Sequence, residues 1–306
     1  MESSTAASTW AARLVGCLTT LALLAALPAP SLPVVLALLV GVVGMPHGGL
    51  DHRVGRRLLR PTLGWCWGPA FLAGYAALMA AVLAGWALAP LCTLAGFVLL
   101  SALHFGMADE QPRSPGSVAH AVLCGGMVVW VPSLARPTEM TQLLLWVVPG
   151  RLWPPDFLFL PAVRAALWLA LALVLAGAAR SPFGQAGLRT LCLVALFVLA
   201  PPLVAFAVYF CGWHSVTELA RLARQANPTD PPAGLRTVIA AAAPLSAAAC
   251  LLVIAGWLVV ESGRPLAPGV VRALFVGLSV VAVPHVLLHL LAQRRGVDPF
   301  HAGGPA

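Results

Sequence analysis

A polytopic transmembrane bundle of α-helices, with about eight to ten spans, is the fold class this sequence predicts. Three observations predict it. Of 306 residues, 60% are apolar and only 9% charged, where a soluble domain carries roughly 25% charge. Mean hydropathy is +0.92. Long apolar runs fill the chain, separated by short breaks that carry Pro, Gly and Arg. A soluble enzyme, a secreted disulfide scaffold and a disordered adaptor are excluded, because so few charges cannot cover a water-facing surface of this size.

A spanning helix needs about 20 mostly apolar residues, and the runs follow in order. Segment 11–28 has Arg13 ahead of an apolar core; it resembles a signal peptide but is expected to be retained, because more membrane follows. Segment 31–46 is short and ends in G-M-P. Segments 66–88 and 90–107 flank Pro90 as a tight hairpin. Segments 118–135, 157–178, 187–212, 236–260 and 269–293 complete the set. The whole chain, 1–306, is expected to form one transmembrane domain. The longest polar stretch, 221–236, contains N-P-T-D-P-P and is predicted to be a loop of turns.

The formal charge of +8 does not indicate nucleic acid. All 18 basic residues are Arg, placed mainly near the ends of apolar runs, as in loops that face anionic headgroups. Arg53, Arg56, Arg57 and Arg60 place their segment in the cytoplasm; Arg180 and Arg189 agree with that orientation, while Arg221, Arg224, Arg294 and Arg295 oppose it. Without lysine no Schiff base can form, which excludes opsin-like and lysine-aldolase chemistry. The seven cysteines form no C-x-x-C pair and are odd in number, so they are expected to pack as small apolar residues.

Eight histidines are present, most of them in the apolar phase. An ionisable residue in a span is costly and faces the bundle interior, where function is the default expectation. Imidazole suits iron, copper and zinc, and a metal could gather His47, His104 and His214 from three helices. Asp51 and Asp109 lie four and five residues beyond His47 and His104; they are candidates to anchor helix ends or hold an imidazole tautomer behind the metal. His285 and His289 share a helical face. His289 and His301 are expected at the interface, His52 among headgroups, and His120 as polar glue between helices.

Four blocks carry a family resemblance: G-M-P-H-G-G-L-D at 44–51, L-H-F-G-M-A-D at 103–109, P-P-L-V-A-F-A-V-Y-F-C-G-W-H-S at 201–215 and V-P-H at 283–285. In this order, in a chain of this length and hydropathy, they resemble the Brp/Blh family of bacterial and archaeal membrane proteins, which cleave β-carotene at its central double bond. The resemblance implies a multi-pass protein of the cell membrane that binds Fe(2+) through His47, His104 and His214. The family's fourth ligand, a histidine one turn further on, is replaced here by Glu218. A carboxylate can ligate Fe(2+), as in facial-triad oxygenases, so Glu218 is the expected fourth ligand and His285 the reserve.

The same resemblance implies β-carotene and O2 as substrates met in the lipid bilayer, and two retinal molecules as products. Phe105, Tyr209, Phe210 and Trp213 adjoin the ligands and are the expected substrate-binding residues, with Trp130 a more distant candidate. A retinal-binding opsin is a candidate acceptor of the product. Three alternatives stand beside this reading: a family member made inert by Glu218 that still binds carotenoid or retinal, a transporter with histidine in its spans, and a haem protein. The last is disfavoured because His285 and His289, on one helix, cannot both be axial to one haem.

Overall fold

The computed structural model describes residues 2–28, 31–110, 115–148, 150, 157–180, 184–260, 263 and 265–297. Every element among them is helical and no strand occurs, as the composition requires: in lipid, backbone donors and acceptors must pair within their own segment. The helices are α1 (Glu2–Ala25), α2 (Leu32–Leu39), α3 (Asp51–Leu63), α4 (Trp67–Leu88), α5 (Pro90–Glu110), α6 (Pro115–Gly125) and α7 (Met127–Ala135). They continue as α8 (Pro137–Val147), α9 (Pro161–Ala179), α10 (Gln185–Leu199), α11 (Pro202–Ala207), α12 (Val216–Ala226), α13 (Pro231–Val260) and α14 (Leu266–Arg294).

Proline opens α5, α6, α8, α9, α11 and α13. At a helix start its missing N–H would have had no partner in any case.

Among the described residues six helical stretches are long and apolar enough to cross a membrane: Leu32–Leu88, Pro90–Ala108, Pro161–Ala179, Pro202–Ala226, Pro231–Leu258 and Leu266–Arg294. A seventh is the pair Val118–Gly125 and Met127–Ala135, bent by 53°. This is a multi-pass membrane protein. The expected runs 31–46 and 66–88 are merged through α3 into one helical stretch. The runs 11–28 and 187–212 yield shorter apolar helices, Arg13–Leu24 and Ala186–Leu199, the second ending just before Pro201, where a residue preceding proline leaves the helical region. Residues 221–226, expected as turns, instead continue α12. The turn is confined to 227–230, where Asn227 Oδ1 accepts from the Asp230 N–H and Asp230 Oδ1 accepts from the Ala233 N–H at the start of α13, both at 3.0 Å.

The chain forms two compact units, residues 1–88 with 210–306, and 89–209. In the first, α14 packs against α2, α3, α4 and α13, while α13 also covers α12 and the turn that carries His47. Trp86 Nε1 donates to Ser279 Oγ at 2.7 Å, a buried polar link between α4 and α14. Helix α3 buries Asp51, Val54, Gly55 and Leu58 and exposes Arg56 and Arg60; the arginine cluster is therefore a face of an amphipathic helix.

In the second unit α5 packs on α6, and α7 packs on α9 and α10. A Cβ on Gly106 would collide with the Ala121 carbonyl, so the glycine after His104–Phe105 permits the close α5–α6 crossing. Trp130, a distant substrate candidate, lies at the bend: its indole N–H donates to the Leu123 carbonyl at 2.9 Å, satisfying an acceptor next to the break. His120, as expected of polar glue, sits 3.4 Å from Cys124 Sγ and against Gly177 of α9.

Candidate metal site

His47 and His214 both sit where the helix departs from α geometry. The Met45 N–H bonds to the Val40 carbonyl, five residues back, and the Asp51 N–H bonds to the Gly48 carbonyl, three residues back. The chain thus passes from a wide π turn into a tight 3-10 turn across G-M-P-H-G-G-L. Pro46, with no N–H to give, is the local cause. His214 lies in a second π segment, Val208–Ser215. Such segments are rare and recur at functional sites. Gly49 adds a close approach: a Cβ there would lie 2.6 Å from the Ala242 carbonyl oxygen and 2.7 Å from Ser246 Oγ, so only glycine lets α13 close over the turn.

In the first unit three imidazoles pack together. The His47 ring lies 5.2 Å from that of His214 at 86° and 5.7 Å from that of His285 at 80°. Phe210 stacks on His214 at 5.9 Å and meets His47 edge-on at 6.1 Å. His214 and His285 are buried. Among the described residues His47 Nδ1 is buried and has no hydrogen-bond partner. A buried imidazole nitrogen without a partner is costly in an apolar span, and a metal ion would satisfy it. The residues present fit a metal.

Behind this group, Asp51 is 2% exposed. Oδ1 lies 2.8 Å from His285 Nδ1 and 3.2 Å from His289 Nε2, and the Tyr75 hydroxyl donates to Oδ2 at 2.9 Å. The Val281 carbonyl, at 3.3 Å from the same hydroxyl, is the lesser acceptor. Asp51, His285 and His289 each offer a ligand atom within 4.8 Å of the others, a buried His/Asp group compatible with metal binding. His289 therefore turns inward to Asp51 rather than to the interface. The expectation that Asp51 orients an imidazole gains a specific partner.

Sequence reasoning misses Tyr75. Its signal is rarity, since the chain has only two tyrosines and this one places a hydroxyl in an apolar run.

The remaining candidates fall as follows. His104 is half-buried on α5 of the second unit, its ring 5.8 Å from Phe105. Phe105 meets Tyr209 edge-on at 5.3 Å, and Tyr209 meets Phe197 at 5.6 Å, an aromatic cluster within that unit. Trp213 is buried, with the Arg13 guanidinium 4.7 Å from its ring centre. Glu218 Oε2 accepts from Arg221 Nε at 3.0 Å and Nη2 at 2.9 Å, so its carboxylate is engaged one turn along its own helix. His52 Nδ1 lies 3.2 Å from the Gly49 carbonyl. The side chain of Asp109 and all of His301 lie outside the described residues.

Residues 38–292 match the family described as beta-carotene 15,15'-dioxygenase. The chain is 29% identical over 256 residues to the beta-carotene 15,15'-dioxygenase of uncultured marine bacterium 66A03, covering 82% of this chain and 90% of that protein. It is also 29% identical over 277 residues to the probable beta-carotene 15,15'-dioxygenase Blh of Halobacterium salinarum, covering 80% and 79%. No solved structure matches the chain. With the match spanning most of the sequence, including His47, His104, His214 and His285, the chain belongs to the beta-carotene 15,15'-dioxygenase family.

Proposed function

We propose that this protein cleaves β-carotene at the central 15,15' double bond with O2, giving two retinal molecules, at an iron held by His47, His104 and His214. The observation that carries the metal is the buried, unpartnered His47 Nδ1 within a group of imidazoles. His104 enters through its motif, L-H-F-G-M-A-D. Imidazole donors of this kind suit iron. Bound iron would supply the electrons that make O2 reactive toward a double bond.

The protein's own groups have three tasks. The first is to admit a rigid hydrocarbon that dissolves only in the bilayer; apolar helices whose outward faces include Leu72, Leu169 and Leu251 keep the enzyme where that substrate is. The second is to hold the polyene, the role assigned to Phe105, Tyr209, Phe210 and Trp213. Aromatic faces bind a flat apolar chain without demanding hydrogen bonds from it. The third is to orient the ligands and exclude water. Asp51 orients His285 beside His47, and Asp109 is the corresponding candidate behind His104. The net reaction, one β-carotene and one O2 to two retinals, moves no proton, so no general base is required.

The cell membrane is the location this reading assigns, with a retinal-binding opsin in the same bilayer as acceptor of the product. The test is expression in a bacterium that accumulates β-carotene, with retinal measured by chromatography. Loss of orange colour with retinal appearing is the expected result; unchanged carotene, with the protein present in the membrane, overturns the proposal.

A further inference from the structure

We infer that His285, held by Asp51 and Tyr75, is the fourth protein ligand of the metal, in place of Glu218. This rests on the reading of His47 and His214 as metal ligands. Asp51 is a buried carboxylate and the Tyr75 hydroxyl already donates to it, so it acts as an acceptor and His285 Nδ1, at 2.8 Å, must carry the proton. A neutral imidazole protonated at Nδ1 has its lone pair on Nε2. Carboxylate–imidazole pairing of this kind fixes ring orientation and raises ligand basicity in metal sites.

The His285 ring lies against His47, with centroids 5.7 Å apart, and its Nδ1 would lie 3.5 Å from a Cβ on Gly48. It therefore sits directly over the turn that presents His47. Glu218 gives its Oε2 to two nitrogens of Arg221, so its charge is already matched on its own helix. His289, on the same helix face, is the second imidazole to reach Asp51. It adds a hydrogen bond to the carboxylate and leaves His285 as the imidazole next to His47.

The test compares iron content and the number of coordinated imidazoles in purified full-length protein loaded with Fe(2+), read by elemental analysis and X-ray absorption. The wild type is expected to hold one iron per chain with four imidazoles. His285→Asn retains an amide N–H near the Nδ1 position, so it keeps the bond to Asp51, but it has no donor atom at Nε2. It is expected to fold, to bind iron at least about 10-fold more weakly and to show three imidazoles. His285→Ala should behave alike and regain iron when free imidazole is added. Glu218→Ala should keep wild-type iron and four imidazoles.

Iron binding and imidazole count unchanged in His285→Asn overturn the inference, as does loss of iron in Glu218→Ala. An iron-free wild type overturns the underlying reading, and this inference with it; an iron-loaded wild type matched by His285→Asn overturns this inference alone.

Discussion

Asp51 and His285, separated by 234 positions in the chain, meet through a 2.8 Å contact between Oδ1 and Nδ1. The first opens α3 directly after the proline-bearing turn that presents His47, and the second lies in the last helix, where it follows a proline as His47 does. One carboxylate thus ties that turn to α14.

Asp51→Asn tests that tie. The substitution keeps volume but removes the anion that accepts hydrogen bonds from His285, His289 and Tyr75. Iron affinity, measured by competition with a chelator, is expected to fall roughly 10–100-fold, the range typical of losing a partner behind a ligand. Tyr75→Phe removes one of the three donors and should weaken iron binding less than Asp51→Asn. Equal affinities for wild type and Asp51→Asn would show that the carboxylate does not orient a ligand.

Gly49→Ala addresses the turn itself. The added methyl would lie 2.6 Å from the Ala242 carbonyl oxygen, forcing α13 outward or the turn inward. A cost of about 1–3 kcal/mol is expected for such overpacking, visible as a lower midpoint in detergent-based unfolding. Retinal formation should fall with it, because His47 is two residues away. Gly68→Ala, where the added methyl would meet nothing within 4 Å, is the control and should change neither.

Metal identity is tested by removal and replacement. Chelator-stripped protein should form no retinal, and Fe(2+) should restore the activity. Zn(2+) should occupy the imidazoles without restoring it, because zinc has no redox chemistry. The unfolding midpoint should rise with either ion, since a ligand that binds only the folded state stabilises it. Full cleavage activity in metal-free protein would remove iron from the mechanism.

Trp86→Phe separates stability from chemistry. It deletes the 2.7 Å bond to Ser279 Oγ, yet that hydroxyl keeps its bond to the Val276 carbonyl at 2.6 Å. A loss of about 0.6 kcal/mol, the average for a side-chain hydrogen bond between membrane helices, is expected in unfolding measurements, with retinal yield unchanged.

Local chemistry determined much of this protein from its sequence alone. Apolar runs of spanning length can only be helices in lipid, and histidines inside them need partners. Hence the all-helical class, the metal-ligand candidates His47, His104 and His214, and Asp51 as a candidate to hold an imidazole were legible from residue type and spacing. Tertiary structure decided the partners. Spacing relates positions within a turn or two of one helix, and it cannot show which distant side chains share a buried space. Only packing of α4 and α14 against the Asp51 turn brings Tyr75, His285 and His289 to one carboxylate. The nearer pair, Glu218 with Arg221, was available to sequence at three residues' spacing but competed there with a ligand role. In the structure both Arg221 nitrogens reach the same carboxylate oxygen, a contact that spacing alone leaves open.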